Sequence, residues 1–119
     1  MKKINSPAII KSVGNKPKII QEFIGRVNTK TSSVSIAQMN SPMGWKEPGQ
    51  KPEFDEYTIV LKGTLKVENN KEIILIKEGE AILVNAGEWV RYSSPEKGGA
   101  EYIAVCLPAF SPNTVNRDS

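Results

Sequence analysis

At 119 residues the chain suits one domain and leaves no room for a second, and 39% hydrophobic against 24% charged residues supports a modest core. Sixteen basic and thirteen acidic side chains leave a formal charge of +3. The basic residues are scattered, with only Lys2 and Lys3 adjacent, which excludes a nucleic-acid-binding stripe. There is no histidine, and Cys106 is the single cysteine, so a disulfide framework, a cysteine-rich zinc site and any Ser-His or Cys-His nucleophile are excluded. The opening MKKINSPAIIK lacks the apolar run of a signal peptide. Nothing approaches the ~18 apolar residues of a membrane span. With one thiol, which is ordinary in a reducing compartment, these features predict a cytoplasmic protein with no membrane or nucleic-acid partner.

Turn residues punctuate the chain at short intervals, with strand-like runs between them. Residues 1–17 are polar and read as an extended or loosely ordered arm. Runs at 19–27 and 32–39 are rich in β-branched residues. The run 56–62 alternates and is expected to turn at Gly63 into 64–68, and Asn69-Asn70 turns into 71–77. Further strands are expected at 81–85, 88–93 and 100–107, before a polar tail at 111–119. No segment carries the i, i+3, i+4, i+7 pattern of a long helix, so the reading is all-β, a sandwich or barrel.

Alternation gives the 56–62 run two faces, with Glu56, Thr58 and Val60 on one and Tyr57, Ile59 and Leu61 on the other. Glycine spacing then supplies a sharper signal. Gly44 is followed by Gln50, Pro52, Glu56 and Gly63, and Gly79 by Asn85, Gly87 and Val90. These positions resemble the two motifs of a small single-domain cupin: glycine, five residues, His-x-His, three or four residues, Glu, six residues, glycine; then glycine, five residues, Pro-x-Gly, two residues, His. The resemblance covers roughly 30–108. It implies a double-stranded β-helix or jelly-roll barrel over a single domain, 1–119, with its core at about 19–108. It also implies a ligand pocket in the barrel mouth.

In metal-bearing cupins three histidines and the glutamate bind one Fe, Mn, Ni, Cu or Zn ion. Here the histidine slots hold Gln50, Pro52 and Val90, and only Glu56 keeps an ionisable donor. One carboxylate and one amide do not make a tight transition-metal site, so no metal and no other cofactor is expected. Glu53 and Asp55 next to Glu56 are a candidate oxygen set for a hard cation, although alternation turns Asp55 and Glu56 apart.

The leading expectation is a protein that binds a small polar organic molecule. Gln50, Glu56 and Tyr92 serve as polar contacts, and Val60, Val90 and the last strand as walls. One alternative is a metal-independent isomerase or lyase using Glu56 as general acid or base. The other is a metal-dependent cupin with atypical oxygen ligands. Trp45 and Phe54 bracket the motif loop as a lid or as packing, and Cys106 reads as a small core residue. The apolar face of Tyr57, Ile59 and Leu61, together with the pairing the resemblance implies, predicts a homodimer.

Overall fold

The computed structural model describes residues 1–119 as nine strands and no helix. The strands are β1 (Ala8–Ile10), β2 (Ile19–Ile24), β3 (Ser35–Ser41), β4 (Trp45–Lys46), β5 (Asp55–Glu68), β6 (Ile73–Lys77), β7 (Ala81–Val84), β8 (Arg91–Ser94) and β9 (Ala100–Leu107). All pair antiparallel, as a jelly roll requires. One sheet runs β1-β2-β3-β9 onto the first half of β5, with β7 on its other side. The second half of β5 carries the other sheet, with β6 on one side and β8-β4 on the other.

The expected turn at Gly63 is corrected by this arrangement. Residues 55–68 form one strand that leaves one sheet and enters the next, with a register shift between Val60 and Lys62 at the bend. Gly63 takes φ 75°, and a Cβ there would lie 2.1 Å from the carbonyl oxygen of Gly99. Glycine marks a strand bent against another backbone here rather than a chain reversal.

Alternation set the two faces of 56–62 correctly, with Thr58 and Val60 buried and Tyr57, Ile59 and Leu61 exposed. Inward positions of β9 are Ala100, Tyr102, Ala104 and Cys106, and those of β3 are Ser35, Ala37, Met39 and Ser41, matched in register. Trp45, Val60, Leu65, Val67, Ile76, Val84, Val90 and Tyr92 belong to the main core at the closed part of the barrel. A smaller cluster of Phe54, Cys106 and Val115, with Phe110 against it, packs beside the mouth. Trp45 and Phe54 are both buried, so each packs its loop onto the barrel.

The chain ends lie along the barrel. β1 adds to β2 through Ala8↔Glu22, Ile9↔Gln21 and Ile10↔Ile20. The C-terminal residues run beside the motif loop. Glu53 N–H donates to Thr114 O, Lys51 N–H to Asn116 O, and Asp118 N–H to Gly49 O. Neither β1 nor β4 was expected from the sequence. Three and two residues long, each is specified by its neighbour strand rather than by local pattern.

Candidate functional site in the barrel mouth

The barrel opens into a partly enclosed cavity at its mouth. Gln50, Glu56 and Tyr92 all line it. Gln50 arrives through a bridge to Val90, in which the two backbones exchange hydrogen bonds of 2.9 and 2.8 Å. The first and last histidine slots of the motifs are therefore adjacent, as the resemblance implies. Val60 and Val90 stand outside the lining, fully buried in the core. From the last strand, Tyr102, Ala104 and Cys106 contribute wall, which fixes the face left open by sequence.

Five charged groups lining the cavity were not singled out from sequence: Lys11, Glu22, and three that act on Glu56, namely Glu47, Lys18 and Arg117. Glu47, in the loop just before Pro48-Gly49, is buried and lines the cavity. A carboxylate inside the motif loop, between Gly44 and Gln50, was the available signal. Lys18 enters from the start of the chain. Its Nζ lies 4.0 Å from the Trp45 ring centre and 3.2 Å from the Tyr102 hydroxyl, to which it donates. That hydroxyl and Ser41 Oγ are 2.9 Å apart. Arg117 arrives on the C-terminal tail, next to Gln50 by a bridge and 5.7 Å from the Phe110 ring centre. Nothing in local pattern ties either cation to the mouth.

Electrostatics follow from this crowding. Glu56 keeps a little surface on the cavity and is otherwise enclosed by protein. Burial, reinforced by Glu47 and opposed by Lys18, Tyr92 and Arg117, pushes its pKa up from 4.5 to about 7. Glu47 is also raised, by burial, against the pull of Lys18 and Arg117. The Tyr92 hydroxyl is turned toward Glu56 but makes no hydrogen bond of good geometry and is left unpaired. Burial, then Glu56, holds Tyr92 well above its ordinary value, and the same two causes push the Cys106 thiol up. Cys106 therefore stays protonated and unreactive at neutral pH.

The acidic residues beside Glu56 do not join it. Asp55 accepts a hydrogen bond from Ala86 N–H at 2.8 Å, and Glu53 accepts one from the Asn116 side chain at 3.1 Å. Nowhere are three His, Cys, Asp or Glu side chains gathered as a cation site. Pro52 is buried and Val90 lies in the core, so the donors that a cupin metal centre needs do not fit around Glu56.

Fold and site together define a small jelly-roll barrel whose mouth cavity has largely apolar walls and a few charged and polar groups. The chain belongs to the cupin family, whose domain model matches residues 41–106. It is 44% identical over 104 residues to a Myxococcus xanthus (strain DK1622) protein named endoribonuclease YbeY, covering 86% of this chain and 35% of that one. The chain thus spans about a third of the length of that curated relative. Among solved structures, Bacillus subtilis oxalate decarboxylase at pH 4.6 superposes with TM-score 0.77 at 17% identity, over 96% of this chain and 30% of that one. A Thermotoga maritima protein described as a predicted oxalate decarboxylase gives TM-score 0.72 at 19% identity, over 87% and 92%. The Clostridium difficile EutQ protein gives 0.67 at 19%, over 80% and 65%. At these identities the structural likeness shows the fold alone.

Proposed function

We propose that this chain binds a small polar organic molecule in the barrel mouth and does so without the metal centre of its family. The observation that carries the reading is a set of polar groups turned into one cavity, two of which lack a well-formed hydrogen bond to protein. These two are the Tyr92 hydroxyl and the buried Nε of Arg117, and Glu47 and Glu56 face the cavity beside them. Buried polar groups are normally satisfied, and their partners here belong to a ligand or to water that a ligand displaces. Aliphatic and aromatic walls from Ile10, Ile20, Phe54 and Phe110 suit a small carbon skeleton.

Melting curves against a library of small polar metabolites test this, with Glu56→Gln and Tyr92→Phe run in parallel. Members that raise the melting temperature of the parent and lose that effect in both variants support the site. A library that moves neither parent nor variants refutes it.

One observation favours a second reading, a metal-independent isomerase or lyase. A carboxyl group with its pKa at about 7 takes and returns a proton readily at neutral pH. Solvent deuterium entering a bound ligand in the parent but not in Glu56→Gln would distinguish catalysis from binding. The endoribonuclease of the Myxococcus xanthus name belongs to a longer protein, only 35% of which this chain matches. A polynucleotide track needs an open basic groove, whereas Lys18 and Arg117 line a partly enclosed cavity together with carboxylates.

The protein acts as a cytoplasmic homodimer in this proposal. Tyr57, Ile59, Leu61 and Leu83 stand exposed on one outer sheet face, with Tyr57 paired to Leu83 and Ile59 to Ile103. Covering that face with its own copy removes a contiguous strand-borne apolar surface from water.

A further inference from the structure

The small-molecule reading leaves the ligand's chemistry open, and the charges of the mouth narrow it. Three cations, Lys11, Lys18 and Arg117, and three carboxylates, Glu22, Glu47 and Glu56, line one cavity. Lys11 is exposed and Glu22 accepts from Val27 and Asn28 N–H, which leaves Lys18, Arg117, Glu47 and Glu56 as the charges that act on one another. They do not neutralise one another directly: the molecule's one ion pair is Arg91 with Glu68, on the outside of the other sheet. Lys18 spends one donor on the Tyr102 hydroxyl and rests its charge on Trp45, leaving two N–H groups free. Arg117 keeps a buried Nε without a partner. Holding opposite charges close enough to feel each other yet unpaired in a poorly solvated cavity is costly. The arrangement is complementary to a molecule that inserts between them.

Both cations also lie outside the residues matched by the cupin domain model, 41–106. Lys18 comes from the segment before β2 and Arg117 from the tail, where the Asp118 N–H···O=C Gly49 bond and the Trp89 Nε1–H···Asp118 bond of 3.0 Å hold it in place. Lys18 and Arg117 thus come from the segments flanking residues 41–106, and Glu47 and Glu56 from within them.

Resting on the small-molecule reading, we infer that Lys18 and Arg117 form an anion-recognising end of the site. Its ligand is then a small carboxylate carrying a hydroxyl or amine that donates to Glu47 and Glu56. The guanidinium takes a carboxylate through two parallel N–H···O bonds, and the ammonium adds a point charge. Glu47, Glu56, Gln50 and the Tyr92 hydroxyl then serve the donor-bearing end of the ligand.

Three probes of nearly equal size separate the terms: acetate, glycolate and glycolamide, titrated into the full chain at constant ionic strength. Binding is followed by the aromatic NMR signals of Tyr92 and Tyr102 and by calorimetry. Glycolate is expected to bind tighter than acetate, and glycolamide at least about tenfold weaker than glycolate, because the charged end is lost. Lys18→Gln and Arg117→Gln each weaken glycolate by about tenfold or more and leave glycolamide unchanged, while Arg117→Lys restores part of the loss. Lys18 packs on Trp45, so its variant is checked for folding; Arg117→Gln stands alone if that variant unfolds. Glycolamide binding as well as glycolate, with both cation variants unaffected, overturns the anion inference and leaves the small-molecule site standing. No response of the parent to any of the three overturns both.

Discussion

Glu56→Gln is the perturbation whose outcome the structure fixes most tightly. Glutamine keeps the shape of glutamic acid and removes its charge. Glu56 is faced by Glu47, Lys18, Tyr92, Arg117 and Cys106, and the enclosing protein outweighs both cations, so its pKa rises from 4.5 to about 7. The native state therefore holds a proton on this group that the unfolded chain releases earlier. That contribution to stability is fully present below about pH 4.5, declines as pH rises, and is gone above about pH 7. Each unit is worth roughly 1.4 kcal/mol, so the decline across the window from 4.5 to about 7 amounts to about 3 kcal/mol. Glu56→Gln removes this dependence. Urea unfolding of parent and variant between pH 5 and pH 8 should show the parent losing up to about 3 kcal/mol relative to the variant, which becomes the more stable of the two at the alkaline end. Equal pH profiles for the two proteins, or a variant weaker by several kcal/mol throughout, would refute the reasoning and make Glu56 an ionised, structurally paired residue.

Three further outcomes follow from the same structure. Tag-free protein should carry far less than one Fe, Mn, Ni, Cu or Zn per chain by elemental analysis, because Gln50, Pro52 and Val90 stand in the histidine slots; near-stoichiometric metal lost in Glu56→Ala would reverse this. Sedimentation equilibrium at micromolar concentration should find a dimer, and Ile59→Asp, which puts a charge on the exposed outer face, should leave folded monomer; a 13.1 kDa species in the parent sinks the proposed pairing. Gly63→Ala should cost about 3 kcal/mol or more, since φ 75° is strained for alanine and its Cβ would overlap the Gly99 carbonyl, and circular dichroism melts decide it.

Much of the barrel was legible because alternation and glycine spacing are local signals. The run 100–107 coincides with β9, and the inward set Glu56, Thr58 and Val60 follows from period two alone. The motif spacing placed Gln50 opposite Val90 although neither residue type resembles its counterpart in the motif. What sequence misread was a glycine: a bend between sheets and a hairpin turn both demand positive φ, and only the approach of Gly99 to Gly63 distinguishes them. The valine walls were misplaced for a related reason. Motif position gives the face of a residue but not its depth, and Val60 and Val90 are packed in the core outside the cavity lining.

The charges at the mouth were the least legible part, and physics says why. Lys18 and Tyr102 are 84 positions apart, and Gln50 and Arg117 are joined only through a bridge between the motif loop and the tail. No periodicity links such residues; they meet because the barrel leaves an edge at each end of the chain for the flanking segments to follow. In a metal-bearing cupin one cation held by barrel side chains supplies the positive charge of the pocket. Here the barrel contributes Glu47 and Glu56, whose pKa values burial raises against the pull of Lys18 and Arg117. Compensation comes from outside the family core, through two side chains that approach those carboxylates without pairing with them. Arg117 sits on the C-terminal tail and bridges to Gln50 in the motif loop, not to the strand that carries Glu56, so on the anion proposal Arg117→Gln is expected to change ligand preference while leaving the barrel strands in place.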